Sequence, residues 1–291
     1  MKFGYFGFNV GTFNQPDAIE RLVVTAEQLN FESIWTGEHV VLVDPQVAPS
    51  PVPPLSTFVD TVASLAFAAA KTTRIKIGSG IILIAQRDPI VLAKELAGID
   101  VLSKGRLLVG VGVGYVKGEF DALGIPYDER GPRASEHIEV LRTLWTAEKP
   151  AFSGRFTSFS GIQSRPFPVQ KPHPPIHVGG MSPPALRRAV AQGNGWYGFF
   201  QDVAATQKMI EGLRDTATRV ERPASLGKLE ISVTPPGPID SDTAKRYEDL
   251  GVDRVVLMRG FQDMATGQRE QSAEDAVIRF LEEMAKTHRF G

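Results

Sequence analysis

The fold this sequence predicts is a single (β/α)8 barrel of the TIM type, with insertion loops, spanning residues 1–291 as one domain. Three observations predict it. Short β-branched or aromatic runs alternate with longer segments of helical spacing; the alternation recurs eight times; and 291 residues suffice for a barrel of roughly 250 plus insertions. A doubly wound sheet would use only five or six such units.

The elements follow in order. "KFGYFGF" (2–8) is the first strand, and the helix after it places Ile19, Leu22, Val23 and Ala26 on one face. Asn30 stands where a left-handed C-cap would end that helix. The other strands are "SIWT" (33–36), "IKIGSGI" (75–81), "LLVGVGV" (107–113), "PIHVG" (175–179), "WYGFF" (196–200), "LEISVT" (229–234) and "RVVLM" (254–258). The last helix is expected to begin at Ser272, with Asp275 completing a capping box and Val277, Phe280, Leu281 and Met284 as its apolar stripe. Two connections are long. Residues 43–57 carry five prolines and read as a lid; the second reads as a small hairpin, "FSGRFTSFSG" (152–161), and an extended run, "SRPFPVQKPHPP" (164–175).

Composition removes several function classes. Lys+Arg of 32 against Asp+Glu of 33 gives a net charge of −1 without long blocks of one sign, so neither nucleic acid nor a membrane surface is an expected partner. The absence of cysteine excludes disulfides, thiolate nucleophiles and cysteine-ligated metals, and suits a cytoplasmic location. The start lacks the features of a signal peptide, and the most apolar later stretch, "VASLAFAAA" (62–70), is far short of the ~20 residues that span a bilayer. The histidines (39, 137, 173, 177 and 288) form no H-x-H or H-E-x-x-H pair, so no metal site is expected; His177, inside a strand, reads as core. A serine hydrolase elbow, G-x-S-x-G, is also missing.

In a barrel of this kind, chemistry collects at the C-terminal ends of the strands. Glu38 and His39 fall just past the second strand and are the catalytic candidates, although a histidine there could simply satisfy a strand end. "GVGVGY" (110–115) does not complete G-x-G-x-x-G, because Tyr115 and Lys117 stand at the final glycine positions of its two frames. It offers either a floor bare enough for a flat ring or only a tight exit from the strand. "IGSGII" (77–82) is a second stripped strand end, suited to a bulge. "VGGMSPPALRRA" (178–189) sets two glycines before a helix with Ser182 at the N-cap and Pro183 in the first turn; it reads as an anion site or an ordinary turn.

Together, "IWTGEHVVL", "IGSGIILIAQRDPIVLAKELAGIDVLSKGRLLVGVGVGY", "RPFPVQKPHPPIHVGGMSPPALRRA" with "GNGWY", and "RYEDLGVDRVVLM" resemble the luciferase-like monooxygenase superfamily. Within it they look most like the oxidoreductases that use coenzyme F420, a deazaflavin. The resemblance implies a flavin-type ring at the barrel mouth over a bulge at Ser79, Gly80 and Ile81 that often holds a non-prolyl cis peptide. It implies Gly112 and Gly114 beside the ring, and Gly179, Gly180, Met181 and Ser182 around the phosphate. Glu38 and His39 match an acid–histidine pair, the histidine facing substrate and the glutamate orienting it; Tyr115 replaces a glutamate of the sugar-phosphate dehydrogenases, leaving a second acid–base group unassigned. The expected reaction is hydride transfer between F420 and a small organic substrate, in a homodimer. Phe6, Phe8, Trp196 and Phe199 near the strand ends suit an uncharged substrate or belong to the core. A reduced-FMN monooxygenase, a non-catalytic flavin or deazaflavin carrier and a metal-dependent hydrolase are the alternatives.

Overall fold

The computed structural model describes residues 1–260 and 270–290. Eight parallel strands close into a barrel: β1 (Lys2–Phe6), β2 (Ser33–Thr36), β3 (Lys76–Ser79), β4 (Leu107–Gly112), β5 (Ile176–Gly179), β6 (Gly195–Phe199), β7 (Glu230–Thr234) and β8 (Arg254–Leu257). Each pairs with its neighbours in chain order, and β8 returns to β1 with Lys2 opposite Arg254 and Tyr5 opposite Leu257. The helices around it are α1 (Pro16–Gln28), α2 (Thr61–Lys71), α3 (Pro89–Leu102), α4 (Arg130–Thr146), α5 (Pro183–Gln192), α6 (Val203–Ala217), α7 (Ser241–Leu250) and α8 (Gln271–Thr287).

Local chemistry explains the helix starts. Side chains of Asp60, Asp88, Asp202 and Asp240 accept from the first-turn amides of α2, α3, α6 and α7, each cap contributing about 1 kcal/mol. Asn30 adopts φ 61°, as its place after α1 predicts. The expected capping box of the last helix is not formed. Glu270 stands at the N-cap without a side-chain bond, and Asp275 instead meets Arg21 at 2.6 Å. The buried stripe Val277, Phe280, Leu281 and Met284 is as expected.

The barrel interior is a column of its own. Trp35, Leu108, Tyr197 and Val256, from β2, β4, β6 and β8, belong to one buried cluster, as the alternate-strand layering of such barrels requires. Trp35 and Tyr197 stack with centroids 5.4 Å apart and planes within 5°. A Cβ on Gly78 would lie 2.5 Å from the Trp35 ring, so this glycine makes the room an indole needs inside the barrel.

The third strand does bulge where expected. Its pairing stops at Ser79 and resumes with Ile82–Leu83 against Val111 and Gly112. The cis peptide implied by the resemblance is not there: among the described residues every cis bond precedes a proline, at 45, 49, 166 and 172. Glycine absorbs the bend instead, because a Cβ on Gly80 would fall 1.9 Å from the carbonyl oxygen of Thr36. In the second long connection, Phe152–Ser153 pairs antiparallel with Ser158–Phe159, and the run 164–175 has no regular structure; Gln170 pins it to Asp100 with bonds of 3.0 and 2.7 Å. No described helix is long and apolar enough to cross a membrane.

Candidate active site

The segment entering the site is fixed before any chemistry begins. Asn9 brackets Gly37, donating to its carbonyl at 3.0 Å and accepting from its amide at 2.9 Å. Glu38 and His39 follow, and their side chains go different ways. Glu38 is buried, accepts the Leu83 amide at 2.5 Å and pairs with Arg87, which also holds Asp60 at 2.9 Å. It therefore ties the end of β2 to the segment after the bulge, and its described bonds go to Leu83 and Arg87, while the ring of His39 is held by a different acid.

The partner of His39 is Glu119. Nδ1 of His39 lies 2.5 Å from Oε1 of Glu119, on a short helix (Lys117–Ala122) just past β4. Glu119 is 1% exposed, and its second oxygen accepts from Gln86 Nε2 at 3.1 Å. With Nδ1 committed, Nε2 is the ring nitrogen left for a substrate. Phe58 and Tyr115 meet the imidazole edge-on at 5.1 and 6.1 Å. Tyr115 is 47% exposed, but partial desolvation of its phenol, with the nearby Glu119 charge, pushes it up to about 12, so it stays a neutral group at ordinary pH.

Glu119 went unrecognised in the sequence. The signal was present: Val116, Glu119 and Phe120 share a buried face at helical spacing, and an acid in an otherwise apolar stripe needs a partner.

The glycines are engaged differently from the sequence expectation. Ser79 uses its hydroxyl to bridge the carbonyl and amide of Gly110, both at 2.8 Å. Gly112 and Gly179 make room for Ile81, whose side chain would lie within 2.5 and 2.1 Å of a Cβ there. Gly114 turns with φ +79° against the Phe120 ring. The strand ends are thus not a bare floor; Ile81 covers two of them. At the α5 start, Pro183 and Pro184 have no amide hydrogen and Ala185 and Leu186 both donate to the Ser182 carbonyl, so the helix itself offers little to an anion. The loop before it is better placed. Gly180 (φ +116°), Met181 and Ser182 are exposed, and the Ser182 hydroxyl makes no cap bond.

His177 is fully buried in β5 with neither ring nitrogen partnered, and meets Trp35 edge-on at 5.9 Å. Burial, reinforced by the Arg254 charge, brings its pKa down to about 4. Phe8 and Trp196, offered as substrate contacts, belong to the main core outside the inner column, whereas Phe6 and Phe199 belong to that column and pack together at 4.8 Å. Among the described residues no group of three His, Asp or Glu side chains converges as a metal site requires.

A family model described as luciferase-like monooxygenase matches residues 1–287. The chain belongs to the luciferase-like monooxygenase family. An uncharacterized protein of Mycobacterium tuberculosis is 30% identical over 296 residues, 98% of each chain. The FMNH2-dependent dimethylsulfone monooxygenase of Pseudomonas putida is 39% identical over 131 residues, 44% of this chain and 36% of that one. Among solved structures, monooxygenase RslO1 from Streptomyces bottropensis aligns with TM-score 0.69 and 26% identity, over 100% of this chain and 84% of its own. An F420-dependent secondary alcohol dehydrogenase, in complex with an F420–acetone adduct, shares the fold with TM-score 0.71 and 16% identity, covering 96% and 97%. Proteins that share this fold thus include one that is F420-dependent, and a relative by sequence is FMNH2-dependent. Gly180–Ser182 form an exposed loop and Ile81 is partly exposed, which suits residues that would hold a phosphate and one face of a ring, whereas Phe6 is buried.

Proposed function

We propose that this luciferase-like protein is an oxidoreductase that transfers a hydride between coenzyme F420 and a small organic substrate. The observation that carries the proposal is the pair of a partly exposed His39 and a buried Glu119 at the barrel mouth. Deazaflavin, when bound, supplies the hydride donor or acceptor. The chain's residues do the rest. Gly180, Met181 and Ser182 hold the phosphate, with Gly179 behind them, and Ser79, Gly80 and Ile81 support the ring. Nε2 of His39 gives or takes the proton that accompanies the hydride, while Glu119 fixes the tautomer and stabilises the imidazolium. Glu38, through Arg87 and Leu83, keeps the histidine's loop in place, making it a positioning residue. Phe6, Phe58 and Phe199 keep water from the reacting atoms. Assembly as a homodimer belongs to the same reading.

A second reading, a reduced-FMN monooxygenase, is favoured by the 39% identity with the Pseudomonas putida enzyme. Side-by-side fluorescence titration with F420 and FMN, oxidised and reduced, separates the two. Selective deazaflavin binding and anaerobic turnover are expected. Selective FMN binding with oxygen consumption would move the protein to the second reading, and binding of neither would end both.

A further inference from the structure

Residues 44–55, which cross the barrel mouth, are almost entirely exposed or half-exposed, with Val47 at 55% and Leu55 at 82%. Ser50 and Val52 are the exceptions. Val52 is 1% exposed and belongs to the inner column of Phe6, Val10, Trp35, Tyr197 and Met258, with Leu42, Phe58, Ile81 and Phe199 packed around it. It stands between Pro51 and Pro53, so the backbone presenting it is stiff. Ser50 steadies the crossing by donating to the Val52 carbonyl at 3.3 Å, and Gln46 donates to the Ser50 carbonyl at 3.1 Å. The two ends of the strap are tied to the site. Val43 lies against Gly118, where a Cβ would be 2.3 Å from its methyl, next to Glu119; Thr57 exchanges bonds with Gly11.

An aliphatic side chain delivered by an otherwise exposed loop into a column of aromatic and aliphatic side chains, one of whose packed neighbours, Phe58, also meets His39 edge-on at 5.1 Å, fills space of one chemical kind. We propose that Val52 occupies the place taken by the apolar group of an uncharged organic substrate, so that the strap gates the mouth and Val52 sets the size of what enters. This rests on the reading of His39 as the group facing substrate. The substrate class that follows is a neutral molecule with an aliphatic or aromatic body and one polar function within reach of His39. A sugar phosphate does not suit this place, since the side chains described around Val52 are uncharged.

The test needs no cofactor and no turnover. Calorimetric titration of the full-length protein with 2-heptanone and with glucose 6-phosphate is compared for wild type, Val52→Ala, Val52→Phe and, as an exposed strap control, Leu55→Ala, while the His39 imidazole signals are followed by NMR. Circular dichroism checks that each variant folds. The expected result is 2-heptanone binding that shifts the His39 signals, about tenfold tighter in Val52→Ala, lost in Val52→Phe and unchanged in Leu55→Ala, with no competition from the sugar phosphate. Equal affinities in all four proteins, no binding to Val52→Ala, unmoved His39 signals or competition by glucose 6-phosphate would each overturn it. The outcome is separable from the cofactor assignment: F420 binding with a ketone affinity indifferent to Val52 sinks only this inference, and the converse sinks only the cofactor.

Discussion

His39 and Glu119 make the most direct demands on experiment. General acid–base groups typically contribute 10²–10⁴-fold, so His39→Asn and Glu119→Gln should each lower turnover by at least about 100-fold while leaving the fold intact, in an anaerobic assay with the substrate found. Because the two act as a unit, the double variant should lose little more than either single one; additive losses would show that they work separately. His177 makes a different demand. Its folded pKa of about 4 lies below the ordinary 6.5, so the unfolded chain binds the extra proton first. Stability is full above pH 6.5 and declines as pH falls toward 4, by about 3 kcal/mol at most. Replacing it as His177→Phe should flatten this part of a melting-temperature profile. The flattening is partial, because burial also lowers the pKa of His137 and His173. An unchanged profile would remove His177 as the source.

At the scale of elements, the sequence was most readable where pattern and packing coincide. Alternating runs located all eight barrel strands within a few residues, and the stripe Val277, Phe280, Leu281 and Met284 oriented α8. Its cap was misplaced because Asp275 had a better partner, Arg21, from another helix that no local rule can see. The glycines were legible as places of close approach but not as to what approaches. Gly112 is required by Ile81, a neighbour contributed by the bulge. A Gly112→Ala change should therefore destabilise by about 1–3 kcal/mol in urea unfolding, and Ile81→Ala in the same chain should recover most of the loss. Without that recovery, backbone conformation rather than contact would be the reason for the glycine. The site followed the same division: strand ends placed His39 at the mouth, while its coupling to Glu119, 80 residues on, depends on how a short helix packs.

For the molecule as a whole, one buried cation holds the N-terminal end of the barrel together. Arg254 grips Glu32 through two bonds of 2.8 and 2.9 Å, and reaches Glu230 at 2.7 Å and Ser232 at 2.9 Å. Burial alone would raise the Glu32 carboxyl, but Arg254 outweighs it and holds the pKa to about 2. The depressed value means stability is present above pH 4.5 and lost as pH falls toward 2, about 3 kcal/mol in all. Removing the cation as Arg254→Met should cost about 3 kcal/mol in urea unfolding, because two carboxylates lose their buried partner and keep Lys76 and Lys2 at 3.2 Å; a loss below about 1 kcal/mol would mean that those lysines and solvent compensate. The same arginine sits 222 residues beyond Glu32 and on the strand that closes the ring against β1. A ribosome must therefore deliver all eight strands before β1 loses its open edge. Until then the growing chain carries an unpaired parallel strand that invites pairing with other chains, and closure is a late, long-range folding event.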